Sequence, residues 1–275
     1  MNEENQRLDE NQNLIEQNQT EWQAPPLPEE IVKTEEPAQM SEVGTLGSIF
    51  FEPGKTFEDL RRKPRFLLAG LIMILAFSAF NYLFINKIGF EQIVRSRLES
   101  SAQIQQLPAD QKQKIIEQQT GTLFQTISYV APPLVLIITF LIGGLIYWLG
   151  ANAMGGTMTF LRGVSVWVYS SFPPTLVSML ANILVLFLKS ADDIDIAASQ
   201  SGLVQANPSF FIDTKTMPVL GAVLGTFDLF FIWGWILAAI GLSVVGKISK
   251  GAAWAVVLIV ALLNVAVRVV AALFS

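Results

Sequence analysis

Asp228 sits inside a long apolar run, in the context Gly225–Thr226–Phe227–Asp228–Leu229–Phe230–Phe231, and Asn264 and Arg268 sit inside another. These three residues have the types and places that could do chemistry. A charge at the centre of a membrane-length helix costs about 2.5–3.5 kcal/mol to insert, so it marks either a polar joint between helices or a path for an ion or solute. Asn264 and Arg268 are four apart and share one helix face. Gly221, Gly225, Asp228, Ile232, Trp235, Ala239, Leu242 and Gly246 fall on one stripe at offsets of four and three. Small residues mark close helix packing, so this spacing turns Asp228 into the bundle. At about 1.5 Å per residue, Asp228 lies about 14 Å below the end of its run, Asn264 about 15 Å and Arg268 about 9 Å below the end of theirs. The expectation is an intramembrane polar cluster of Asp228, Asn264 and Arg268. It reads as a buried ion pair fixing helix register or as a substrate or proton site. Pro173–Pro174, near the middle of a third run, predicts a helix break there. Broken helices at mid-membrane form sites in some transporters and simple kinks elsewhere.

The chain contains no His and no Cys. Disulfides, thiolate and imidazole metal sites, and any mechanism with His or Cys as base or nucleophile are therefore excluded. No phosphate-binding glycine loop and no strand–Ser–helix elbow occurs. The acidic run Asp192–Asp193–Asp195 lacks the calcium-loop pattern. The expectation is no catalytic residue, no cofactor, no metal and no enzyme.

The elements that must position the polar residues follow from hydropathy. Charged residues make up 15% of the 275, against about a quarter in soluble chains, and 52% are hydrophobic. The apolar residues cluster into five runs, about 66–85, 130–149, 164–188, 219–245 and 252–274. Each is long enough to cross a hydrocarbon layer as helix, which takes about 20 residues. Only helices satisfy their own backbone in such runs. The fold class is all-α, a polytopic integral membrane helix bundle with about five transmembrane helices.

The formal net charge of −5 averages two unlike regions. Residues 1–43 carry 11 acids and two bases, and the remainder is net basic. The first 43 residues, rich in Asn, Gln, Glu and Pro, read as a disordered acidic tail. They lack the apolar core of a signal peptide. Residues 44–65 read as an amphipathic cytosolic segment lying along the membrane surface, with Ile49, Phe50, Phe51, Phe57 and Leu60 on its apolar side. Residues 66–275 form the membrane domain, with a polar helical loop at 86–129. No concentrated basic face suggests nucleic acid. Lys and Arg are densest beside the N-terminal segment and the two short loops: Lys55, Arg61, Arg62, Lys63, Arg65, Arg162, Lys247 and Lys250. That density predicts a cytoplasmic N-terminus and an outside C-terminus, in the inner membrane if the chain is prokaryotic.

The pattern resembles the Yip family, the Yip-one domain of Ypt/Rab-interacting-protein-like chains, in its prokaryotic branch. The residues that carry the resemblance are Phe50–Phe51–Glu52–Pro53 with Thr56–Phe57, Leu60 and Pro64, then Gly155–Gly156–Thr157 and Tyr169–Ser170–Ser171–Phe172–Pro173. Asn207–Pro208–Ser209, Phe227–Asp228–Leu229–Phe230, Ile232–Trp233 and Ile240–Gly241–Leu242 continue it. The resemblance implies five spans, a cytosolic N-terminus and no known enzymatic activity. Eukaryotic members act in early secretory traffic and contact Rab GTPases. They carry a DLYGP-like segment before the first span, where this chain has Arg62–Lys63–Pro64–Arg65. Two functions stand against each other: a membrane scaffold or adaptor, and a small transporter or channel built on the third span and Asp228. The expected partners are the bilayer, proteins reached through the tail and cytosolic loops, and a second copy of the chain.

Overall fold

The structure, a computed structural model, describes residues 37–99, 101–196, 199, 202–214 and 216–273. The expectation for residues 1–36 lies outside the described residues. Eleven α-helices and no strand occur among the described residues. In chain order they are α1 (Glu42–Phe51), α2 (Pro53–Arg62), α3 (Leu67–Ile88), α4 (Phe90–Glu99), α5 (Ala102–Gln105), α6 (Ala109–Gln119), α7 (Thr122–Ala153), α8 (Phe160–Leu188), α9 (Pro218–Leu224), α10 (Leu229–Gly246) and α11 (Lys250–Leu273). Five of them, α3, α7, α8, α10 and α11, are long and apolar enough to cross a membrane. The chain is a multi-pass integral membrane protein.

The five spans define two faces. The short turns after α7 and α10 lie on one, called here the short-loop face. The connections 89–121 and 189–217 lie on the other, the long-loop face. Lys87 donates to the carbonyls of Leu186 and Lys189, so α3 and α8 end together at the long-loop face. At the short-loop face Lys247 takes a left-handed conformation (φ 55°) to turn α10 into α11.

Helix α8 is the central post, packed by α7, α3, α10 and α2. Its approach to α7 depends on missing side chains. A Cβ at Gly143, Gly144 or Gly163 would lie 2.0–2.4 Å from Trp167, Val164 or the Gly144 carbonyl. Gly143–Gly144 therefore acts as a contact surface. Shared van der Waals contact of this kind drives packing where lipid removes the hydrophobic difference between helices.

Three sequence expectations change. Pro173 and Pro174 lie inside an uninterrupted α8, so the predicted helix break at Pro173–Pro174 does not occur. Proline deletes the donors to the Tyr169 and Ser170 carbonyls, but both rings are buried and neighbouring helices hold the segment in place. The second run, read as 130–149, belongs to a helix that begins eight residues earlier, at Thr122, so Pro132 and Pro133 fall well inside α7. The third change is the amphipathic segment. Ser41 caps α1 by accepting from Gly44 N at 3.0 Å, and Pro53 opens α2 where a missing N–H costs nothing. The two helices form a hairpin sunk into the bundle, with Ile49, Phe57 and Leu60 wholly buried. Phe57 and Val166 of α8 both lie against Gly241 of α10. Phe50 sets its ring edge-on against Phe172 and Trp233, at 6.0 and 6.2 Å. An apolar stripe can face lipid or protein, and here Ile49, Phe57 and Leu60 face protein while Phe51 stays exposed.

Buried polar groups fasten the hairpin. Thr45 and Tyr169 share a hydroxyl hydrogen bond of 2.8 Å. Arg162, at the start of α8, donates to the Arg61 carbonyl at 2.7 Å. Asp59 accepts from Gln39 N and Met40 N and stands 3.5 Å from Arg65, which donates to the Met40 carbonyl at 2.7 Å. The body thus begins before the compositional boundary at residue 43, which falls within the first turn of α1.

Candidate functional site

The fourth apolar run is not one helix. Helix α9 stops at Leu224, Gly225–Phe227 form a turn, and α10 starts at Leu229. Asp228 stands between them in an extended conformation (φ −74°, ψ 138°) as the N-cap of α10. Its Oδ1 accepts from Phe230 N at 2.9 Å. Free N–H groups of a helix start need such an acceptor, and a carboxylate also suits the positive end of the helix.

The other carboxylate oxygen leaves the helix altogether. Oδ2 accepts from Ala206 N at 3.2 Å and from Asn207 Nδ2 at 3.1 Å, while Leu229 N donates to the Ala206 carbonyl at 3.0 Å. Asn207 in turn caps the 3-10 turn Pro208–Phe211 by accepting from Ser209 N at 3.2 Å. A second clamp acts one step earlier in the chain. Asn182 of α8 is buried, and its Oδ1 accepts from Leu203 N and Val204 N. Its Nδ2 donates to the Ser178 carbonyl at 2.7 Å, which fixes the amide orientation. Asn182 lies seven residues before Lys189, about 10 Å below the end of α8. Residues 203–207 therefore run down among the helix ends, as a re-entrant segment. Beside it a lateral groove of about 340 Å³ is lined by Phe210, Phe211, Phe227 and Leu229 together with residues 205–208. Non-helical backbone at such depth must be satisfied by protein, and Asp228 and Asn182 satisfy it.

The structure does not gather Asp228, Asn264 and Arg268 into one cluster. Arg268 reaches the break, but its guanidinium lies 5.3 Å from the Phe231 ring centre and against Gly225. Among the described residues no ion pair joins it to Asp228. The physical reason is the helix break. A straight helix through residues 219–245 would aim Asp228 along its small-residue stripe, whereas the N-cap conformation turns the carboxylate back toward Ala206 and Asn207. Asn264 is exposed on α11. The residues that sequence reasoning missed are Asn182 and Asn207. An Asn inside an apolar run and an Asn–Pro–Ser turn signal could have flagged them. An Asp before an apolar run is likewise a helix-start signal.

In chemical terms the arrangement is a clamp. One carboxylate takes three N–H donors from two chain segments and couples the break in the fourth span to the preceding connection.

Comparison with known proteins agrees with this geometry in extent and in kind. A membrane protein of Bacillus subtilis (strain 168), YknW, is 27% identical over 235 residues, 86% of this chain and 91% of that protein. No solved structure matches. A family model, the Yip1 domain, matches residues 47–271, which take in most of the hairpin, four spans whole and all but the end of the fifth, the re-entrant segment and Asp228, and the chain belongs to the Yip1 domain family.

Proposed function

We propose that this chain is a non-enzymatic membrane scaffold or adaptor that engages other proteins, with its short-loop face in the cytoplasm. The observation that carries the reading is the use made of the polar residues within the spans. Asp228 and Asn182 are spent on backbone N–H groups of the chain itself. A carboxylate whose oxygens already hold three donors has little left to offer a passing ion or solute. The polar helices α4 to α6, by contrast, project a mixed-charge surface away from the spans. Arg95–Glu91 pairs across one turn at 2.7 Å, and most of α6 is open. The basic residues beside α2 and the short turns suit an anionic inner leaflet.

Purification of the full chain in mild detergent tests the role. Defined proteins should co-purify at fixed ratio and be lost when residues 90–119 are replaced by a short linker. A chain that purifies alone and moves a solute in liposomes, with movement abolished in Asp228→Asn, overturns the scaffold reading. For orientation, a cysteine at Ser275 should react with an impermeant reagent in intact cells and one at Thr20 should not.

A further inference from the structure

Helix α11 carries an unsolved polar group. Ala253, Val257, Ala261, Asn264 and Arg268 fall on one face of it, at offsets of four, four, three and four. The first three are buried against the bundle. Val256 beside them meets Gly150 of α7. Beyond Ala261 the bundle covers only one edge of this face, where Arg268 lies against Gly225 and Phe231, and the other edge is open. Asn264 is exposed, and Val267 next to it is 70% exposed. Among the described residues Asn264 makes no hydrogen bond, although its carboxamide offers two donors and an acceptor. It lies about 21 Å along the helix from Lys250 and about 14 Å from Leu273, which is mid-span. Lipid tails offer nothing to such a group, and headgroups at either end are out of reach of so short a side chain.

We infer that a second copy of this chain covers this face, with the two Asn264 carboxamides hydrogen-bonded to each other across a two-fold axis normal to the membrane. Three features favour a copy over an unlike helix. A carboxamide is both donor and acceptor, so it complements itself, which neither a lone donor nor a lone acceptor can do. Two-fold contacts use the same patch twice, and both copies share one orientation in the bilayer, so the two α11 helices run parallel and bring like residue to like residue. The flanking exposed residues, Leu263, Val267 and Val270, are apolar, and the nearest charge, Arg268, is turned onto Phe231 of its own chain. The contact therefore sets no two cations together. One polar residue in an apolar helix face fixes register in the way a single buried Asn does in coiled coils.

The absence of native cysteine makes the test direct. Single cysteines at Leu263, Val267 and Ala271, on the uncovered flank, and at Leu262 and Leu273, on the far side, are oxidised in the full chain in native membranes. The expected result is a covalent dimer from the first three, several-fold above the last two. In the Val267→Cys background, Asn264→Val should lower the dimer about tenfold when the protein is diluted in lipid, and Asn264→Gln should largely keep it. Thermal stability of the Asn264→Val protein, equal to the parent or higher, shows that the loss is not misfolding. Equal cross-linking on both sides of the helix, no dimer from any position, or a dimer indifferent to Asn264→Val overturns the inference. So does a photoreactive residue at 264 that captures only an unlike protein or lipid.

Discussion

The α1–α2 hairpin and the re-entrant segment 203–211 are the same solution at opposite ends of the bundle. Each is a piece of chain too short to span, tucked against α8 and α10, with a proline opening its second half (Pro53 and Pro208). Each is held by an aspartate that accepts backbone N–H groups from the arriving strand: Asp59 from Gln39 and Met40, Asp228 from Ala206. They differ in what balances the charge. Asp59 is almost fully buried and has Arg65 at 3.5 Å, itself nearly buried. Among the described residues Asp228 has no cation, only N–H donors and the Asn207 amide. A buried ion pair makes each partner dependent on the other. A carboxylate held by hydrogen bonds depends mainly on having an acceptor atom in place.

The sharpest way to break the comparison is the isosteric exchange of acid for amide. Asp59→Asn keeps an acceptor for Gln39 and Met40 but strands the Arg65 guanidinium in a poorly solvated place. Removing one partner of a buried pair costs about 3–5 kcal/mol. Arg65→Met should cost a similar amount, and the double variant Asp59→Asn with Arg65→Met much less than the sum. Thermal unfolding in detergent reads all three. Simple additivity would mean that the two side chains act independently.

The same exchange at Asp228 should be milder. Asparagine is as good an N-cap as aspartate, and its oxygen still accepts from Phe230 N. Its NH2, however, replaces the oxygen that accepts from Ala206 N and Asn207, so Asp228→Asn is expected to cost about 1–2 kcal/mol. Asp228→Ala removes the cap and leaves N–H groups of α10 and the re-entrant segment without an acceptor, at about 2–3 kcal/mol from a lost cap and an unmet donor. If Asp228→Asn proves as harmful as Asp59→Asn, the contrast drawn between the two aspartates fails.

The five spans were legible because twenty-residue apolar runs admit few other readings. The two inserted segments were not, and for different reasons. Ile49, Phe57 and Leu60 announce an apolar face, but periodicity is silent on whether that face meets lipid or protein. The clue lay in the polar residues around it: Thr45, Thr56 and Asp59 have no place on a lipid-facing side and are buried here. Segment 203–211 hid in an acidic connection, because the residues that draw it down, Asn182 and Asp228, come from distant parts of the sequence. The depth arithmetic levelled Asp228 with Asn264 and set Arg268 about 5 Å nearer the span end, yet it is Arg268 that reaches the break, at Gly225 and Phe231. It misread direction, since residues 225–228 leave the helix.

Where the chain is trimmed sharpens the account of the hairpin. A chain starting at Pro37 retains Gln39, Met40 and the Ser41 cap. One starting at Gly44 loses the cap and both donors to Asp59, while Arg65 still faces the carboxylate. The shorter chain should be less stable by about 1–2 kcal/mol, as one lost cap and weakened hydrogen bonding imply. Equal melting temperatures for the two would show that residues 39–41 add nothing.

The smallest effect is expected where the sequence promised the largest. A buried Asp228–Arg268 pair would make Asp228→Asn and Arg268→Gln strongly non-additive, because each would strand the other's charge. In the structure the two charges serve different ends of the break. Asp228 caps α10, and Arg268 lies against Gly225 and the Phe231 ring, where a cation–π contact is worth about 0.5–1 kcal/mol at an open site and more when desolvated. Residues without a shared partner usually add to within about 0.3–0.5 kcal/mol. The coupling energy of the double variant should therefore fall inside that window. Phe231→Leu should couple to Arg268→Gln instead, since those two side chains touch. A coupling above about 1 kcal/mol between Asp228 and Arg268, with none between Phe231 and Arg268, would restore the ion pair and return the fourth span to a continuous helix with its carboxylate turned inward.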